Sequence, residues 1–219
     1  GCTLLRNLAY LVDHGRPHPD PLGIQADGCL VPARVTAQGH AGRAFIVLRD
    51  PVARFLSLYF DKVIGTGPHA FPWIAARLAE RGRFHPGPRL RPARHRENCR
   101  LLIDFIERKM AREGPARVNP HWRPQAVYAA RARPFGLRAL TLEGIADQLP
   151  AHLGDAIPDL PALMARLGRP NRSLAGGGDG IDGILDPPLE SRIRGLYAAD
   201  LDLHLRGGAA WAETGRAPA

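Results

Sequence analysis

Apolar residues recur at helical spacing along several stretches of this chain, and two uninterrupted apolar runs mark where strands belong. Leu4, Leu5, Leu8, Leu11 and Val12 form one stripe, predicting a first helix that Thr3 caps and Gly15 ends. Ala44 to Leu48 is wholly apolar and contains a β-branched Ile-Val pair, which predicts a strand buried on both faces of a parallel sheet. Asp50 and Pro51 then supply an N-cap and a first helical residue, and Val52, Phe55, Leu56, Tyr59, Phe60 and Val63 form the apolar stripe of the helix they start. Its other face carries Arg54, Ser57 and Asp61. Trp73, Ile74 and Leu78 predict a short helix within Pro72–Arg83, and Cys99, Leu102, Ile103, Ile106 and Met110 a firm one from about Glu97 to Arg112. Leu137 to Leu142 reads as a second buried strand leading into a helix over Glu143–Leu153. Short helices follow at Pro161–Leu167 and around Leu189, Ile193, Leu196 and Tyr197. Strands alternating with helices predict an α/β fold, a central parallel sheet flanked by helices.

Between these elements, Arg16–Arg43 and Phe84–Arg94 are rich in Pro, Gly and arginine or histidine and read as loops. The expected organisation is one domain over residues 1–206 and a frayed tail over 207–219. The 219 residues carry a formal charge of +9, which suits an anionic cofactor, an acidic glycan or nucleic acid. Nearly all of that positive charge is arginine, in a chain also rich in Ala, Gly and Pro, a mix that GC-rich coding alone produces, so the charge is discounted. Cys2, Cys29 and Cys99 have no metal-ligand spacing and cannot all pair, which predicts free thiols and no zinc site. No apolar run approaches the length of a membrane span.

The chemistry concentrates where the first strand meets the next helix. Arg49 stands at the strand's carboxyl edge and Ser57 lies on the helix that follows, bordering the crevice where open α/β sheets bind ligands, so the expected ligand is an anion. Arg49-Asp50-Pro51, Arg54, Ser57 and Tyr59 resemble the 3′-phosphate-binding signature of carbohydrate sulfotransferases, the Golgi-type family and its bacterial relatives. The resemblance implies a P-loop-like sulfotransferase fold, a co-substrate 3′-phosphoadenosine 5′-phosphosulfate held through its 3′-phosphate by Arg49 and Ser57, a hydroxyl acceptor on a carbohydrate, and no metal. Gly1-Cys2-Thr3 would open the first helix with free N–H groups and a positive dipole end, a setting for the 5′-phosphosulfate. In the family the equivalent loop reads Pro-Lys-x-Gly-Cys-Thr. Only its last three residues stand here, so the resemblance implies an N-terminally truncated chain lacking the first strand and the lysine beside the leaving group.

A general base must take the proton of the acceptor hydroxyl, and histidine suits that work near neutrality. His14, His18 and His40 are candidates in the loop region where relatives place it. His121 is a fourth, within Asn119-Pro120-His121-Trp122-Arg123-Pro124-Gln125, whose His-Trp-x-Pro-Gln pattern also occurs in the family. Trp122 reads either as a structural anchor of that turn or as a contact to acceptor or cofactor. Asn171-Arg172-Ser173 resembles a late Asn-basic-Ser element of the family, making Arg172 a second candidate contact to the 3′-phosphate, and the Tyr197-to-Asp200 spacing resembles the family's end. Two other classes stay open. One is a P-loop nucleotide kinase, which would need a Gly-x-x-x-x-Gly-Lys-Ser/Thr run that the chain does not contain. The other is a non-catalytic basic module binding nucleic acid or acidic glycan through its arginines.

Overall fold

The computed structural model describes residues 2–25, 44–67, 70–133, 136–167 and 183–206. It is mixed helix and strand, and its contacts divide the chain into two compact units: Gly1–Arg49 with Ala129–Asn171 and Leu203–Ala219, and Asp50–Tyr128 with Arg172–Asp202.

The first unit contains a small parallel sheet of two strands, β1 (Phe45–Leu48) and β2 (Arg138–Thr141), in the register Phe45↔Arg138 to Leu48↔Thr141. Ladder bonds continue at both ends, from Arg138 N to Ala44 O at 2.9 Å and from Leu142 N to Leu48 O at 2.7 Å. Of the β1 residues only Leu48 is buried. The expectation of a strand buried on both faces is not met by its first three residues, which are half-buried; among the described residues β1 has one hydrogen-bonded neighbour, β2. Helices α1 (Cys2–His14), α6 (Ile145–Leu153) and α7 (Leu160–Leu167) pack their stripes around Leu8, Leu140, Ile145, Leu149 and Leu160, the apolar centre of this unit. Helix α1 already includes Thr3, so Thr3 is an early helical residue and not the cap. Its other end is as the sequence predicts: Gly15 takes φ +67° and returns its N–H to Leu11 O at 2.9 Å.

Among its described residues the second unit is helical. Helix α2 (Pro51–Leu58) starts with the Asp50 carboxylate accepting from Ala53 N at 2.9 Å and Pro51 in its first turn. It runs on into one π turn, Tyr59–Val63, closed by the bond from Ile64 N to Tyr59 O at 3.1 Å. Gly65 follows because a Cβ there would sit 2.6 Å from Asp61 O and 2.8 Å from Phe60 O. Helices α3 (Pro72–Ala79), α4 (Pro92–Glu113) and α8 (Pro187–Leu196) close around the α2 stripe in a core that includes Phe55, Tyr59, Ile74, Leu78, Leu102, Ile103, Ile106 and Ile193. Helix α4 begins five residues before the expected Glu97, with Pro92 in its first turn. Two helices pass from one unit to the other in sequence, α5 (Gln125–Ala132) and α9 (Ala198–Arg206).

Candidate active site

In the second unit, Arg54 and Ser57 lie on the face of α2 opposite its apolar stripe, and Asp61 follows them in the π turn. Arg54 is the organiser of this face. Its guanidinium donates to the carbonyls of Arg123 at 2.7 Å, His121 at 3.2 Å and Pro120 at 3.4 Å, and lies 3.5 Å from the Asp200 carboxylate. Asp200 is fully buried and accepts from Gln125 N and Ala126 N, both at 2.8 Å, so it caps the start of α5 with a negative charge. Tyr197 donates its hydroxyl to Trp122 O at 2.9 Å and sits beneath the Arg54 guanidinium at 5.8 Å from its ring centre. Three stretches remote in sequence thus meet at one turn, which they hold by its backbone.

This arrangement sorts the residues of that turn. Trp122 is 2 % exposed and packs edge-on against Phe105 at 5.8 Å. It is the structural anchor of the two readings open for it. Gln125 is buried at the head of α5, and Arg123 turns back to Val118 O at 2.9 Å. His121 faces outward. Its N–H donates to Asn119 Oδ1 at 3.0 Å, which fixes the backbone of the turn, and its ring meets the edge of Phe71 at 4.9 Å. The Lys62 ammonium lies 5.5 Å from the Phe71 ring centre and pairs with Asp61 at 2.9 Å. Although His121 as a whole is exposed, the protein packed about its ring strips water from it and lowers its pKa; the positive charges of Lys62 and Arg54 act in the same direction, while Asp61 opposes them. The imidazole is therefore held neutral at pH 7, the form that accepts a proton.

Tyr59, read with the signature, points the other way, into the core. Its hydroxyl lies 2.8 Å from His95 Nδ1 and accepts from Asn98 Nδ2 at 3.1 Å. Ser57 is half-buried, and its hydroxyl has no hydrogen-bond partner among the described residues.

The remaining expected site residues fall elsewhere. Arg49 follows β1 in the first unit and is half-buried. Cys2 and Thr3 lie in the first turn of α1. His14, at the other end of that helix, stacks on Tyr10 at 4.0 Å and approaches Tyr10 O at 3.1 Å. The His18 Nδ1 lies 2.6 Å from Asp20 O, and its ring stands edge-on to Tyr10 at 4.7 Å. Gly1, His40 and Arg172 lie outside the described residues. Sequence reasoning gave Phe71 and Lys62 no part in a site. Phe71 escapes it because a lone aromatic before a helix carries no periodic signal. Among the described residues no group of three or more His, Cys, Asp or Glu side chains could hold a metal ion, and no helix is long and apolar enough to cross a membrane.

Residues 35–134, a little under half of the chain, match the model of the sulfotransferase family. No curated protein and no solved structure matches the chain. The matched segment contains β1, the signature from Arg49 to Tyr59 and the turn that presents His121, and it is over this segment that the chain is similar to the sulfotransferase family.

Proposed function

We propose that this protein moves a sulfuryl group from 3′-phosphoadenosine 5′-phosphosulfate to a carbohydrate hydroxyl. Arg49 and Ser57 hold the 3′-phosphate of the donor, Arg172 adds a further positive contact, and the N–H groups at the start of α1, from Gly1 through Cys2 and Thr3, meet its 5′ end. A phosphate needs hydrogen-bond donors, and the half-buried Ser57 hydroxyl, with no internal partner among the described residues, fits that need. The assignment of Arg49 rests on its position eight residues before Ser57 in the signature. His121 accepts the proton of the acceptor hydroxyl as the new S–O bond forms. Positioning and charge stabilisation supply most of the rate in this class of transfer.

The observation that carries the reading is the role of Arg54. The helix face that offers Ser57 also holds, through one guanidinium, the backbone of the turn that presents a neutral His121. One rigid element thereby fixes both an anion-binding hydroxyl and a proton acceptor.

Isothermal titration with adenosine 3′,5′-bisphosphate tests the donor site. Arg49→Ala should weaken binding by roughly 1.5–3 kcal/mol, the range for hydrogen bonds to a charged group, and Ser57→Ala by less. If both variants bind as tightly as the parent, the donor assignment is wrong. His121→Ala should abolish sulfuryl transfer and leave bisphosphate binding intact. Retained turnover would pass the role of base to His14, His18 or His40.

A further inference from the structure

Trp73 is the one large apolar side chain of the second unit that is exposed, 46 % of its surface open, among the described residues. The sequence groups it with Ile74 and Leu78, but those two are fully buried while the indole, one residue earlier on α3, is turned about 100° away from Ile74 and about 140° from Leu78. Its position is fixed from below and from the side. Trp122 and Phe105 lie beneath it at 6.1 Å and 6.3 Å, and Phe71 lies alongside at 6.2 Å with the two ring planes 26° apart. Phe71 is also the ring that His121 touches edge-on at 4.9 Å. Two nearly parallel aromatic rings therefore form a shelf that ends at the imidazole. Around Phe71 the shelf is polar, with Lys62 over the ring and the Asp61 carboxylate, 44 % exposed, paired to that lysine.

We propose that this shelf binds the acceptor, and that the acceptor is a pyranose. The proposal rests on the sulfotransferase reading for what happens to the sugar, but not for the binding itself. A sugar ring has an apolar face of C–H groups and a rim of hydroxyls. An exposed, pre-packed indole matches the face, and a carboxylate, an ammonium and a neutral imidazole match the rim. A lipid or an apolar peptide would need a wide continuous apolar patch, whereas this one is bordered by charge on the Lys62 side. Trp73 is then a specificity residue: it seats the ring so that a rim hydroxyl reaches His121, and takes no part in proton transfer.

The test is binding of the full chain to an array of α- and β-linked pyranose oligosaccharides, run with Trp73→Ala and Trp73→Phe, with adenosine 3′,5′-bisphosphate titrated in parallel. The expected result is that the parent binds at least one of the glycans, that Trp73→Ala lowers this binding at least tenfold, and that Trp73→Phe retains most of it. Bisphosphate affinity should be the same for all three. Absence of glycan binding by the parent, or full binding by Trp73→Ala, overturns the proposal. So does a change from dimer to monomer caused by Trp73→Ala in sedimentation, which would make the shelf a contact between copies of the chain. Trp73-dependent glycan binding by a parent that ignores the bisphosphate would support the shelf and count against the sulfotransferase reading alone.

Discussion

The Tyr59 hydroxyl lies wholly inside the core between His95 Nδ1 and Asn98 Nδ2, and burial, its first cause, pushes its pKa far above the ordinary phenol value. Asn98 itself is fully used, donating to His85 O at 2.7 Å and accepting from His85 N at 2.9 Å. Tyr59→Phe would leave two buried polar groups short of a partner and should cost about 1–3 kcal/mol in urea unfolding. Burial likewise lowers the pKa of His95. A histidine whose pKa is lower folded than unfolded binds more protons when unfolded, so its contribution is complete above the unfolded value and declines as pH falls below about 6.5. The melting temperature should accordingly drop between pH 7.5 and pH 5.5, and His95→Gln should flatten that drop. An unchanged pH dependence in the variant would show that His95 is not its source. At the site, His121 should give a rate profile whose acidic limb lies below pH 6.5, the ordinary histidine value, because the folded protein lowers its pKa.

At the scale of elements, α5 owes its start to a residue far along the chain. Asp200 caps it and at the same time balances Arg54, so Asp200→Ala removes a cap and strands a guanidinium, and should destabilise by roughly 3–5 kcal/mol, the cost of breaking a buried ion pair from one side. Urea unfolding of Asp200→Ala against Asp200→Asn, which keeps an oxygen for the cap, separates the two contributions. Helix α2, with its strong stripe and the Asp50 cap beside it, and α1, with its stripe and the Gly15 stop, are legible from spacing alone. Helix α5 is not, since Gln125–Ala132 has a weak stripe and its cap comes from another part of the chain. The same limit applies to the site. Arg54 lies on the polar face of α2, as its position in the pattern requires, but its partners are backbone carbonyls, which no side-chain pattern encodes. The spacing of Tyr59 places it correctly on the apolar stripe, and its role in the signature gave no hint that its hydroxyl serves α4. The pairing of β1 with β2 could be anticipated as parallel, but the partial exposure of Phe45, Ile46 and Val47 could not, because fully and partly covered strands share the same run of apolar residues.

For the molecule as a whole, the formal charge of +9 gives any anion binding a dependence on ionic strength. Bisphosphate affinity should fall several-fold between 50 mM and 300 mM salt, and Arg49→Ala should show a shallower fall than the parent. The pin from Tyr197 to Trp122 joins residues 75 positions apart, and it sets a schedule for synthesis. At about 5–20 residues per second, a ribosome that has just made Trp122 needs roughly 4–15 s more before Tyr197 exists to receive it. Throughout that interval the Trp122 carbonyl lacks Tyr197, and Arg54 and the first N–H groups of α5 lack Asp200, so a nascent chain stalled before Tyr197 should be cut by protease around residues 118–126 and protected there once Asp200 has emerged.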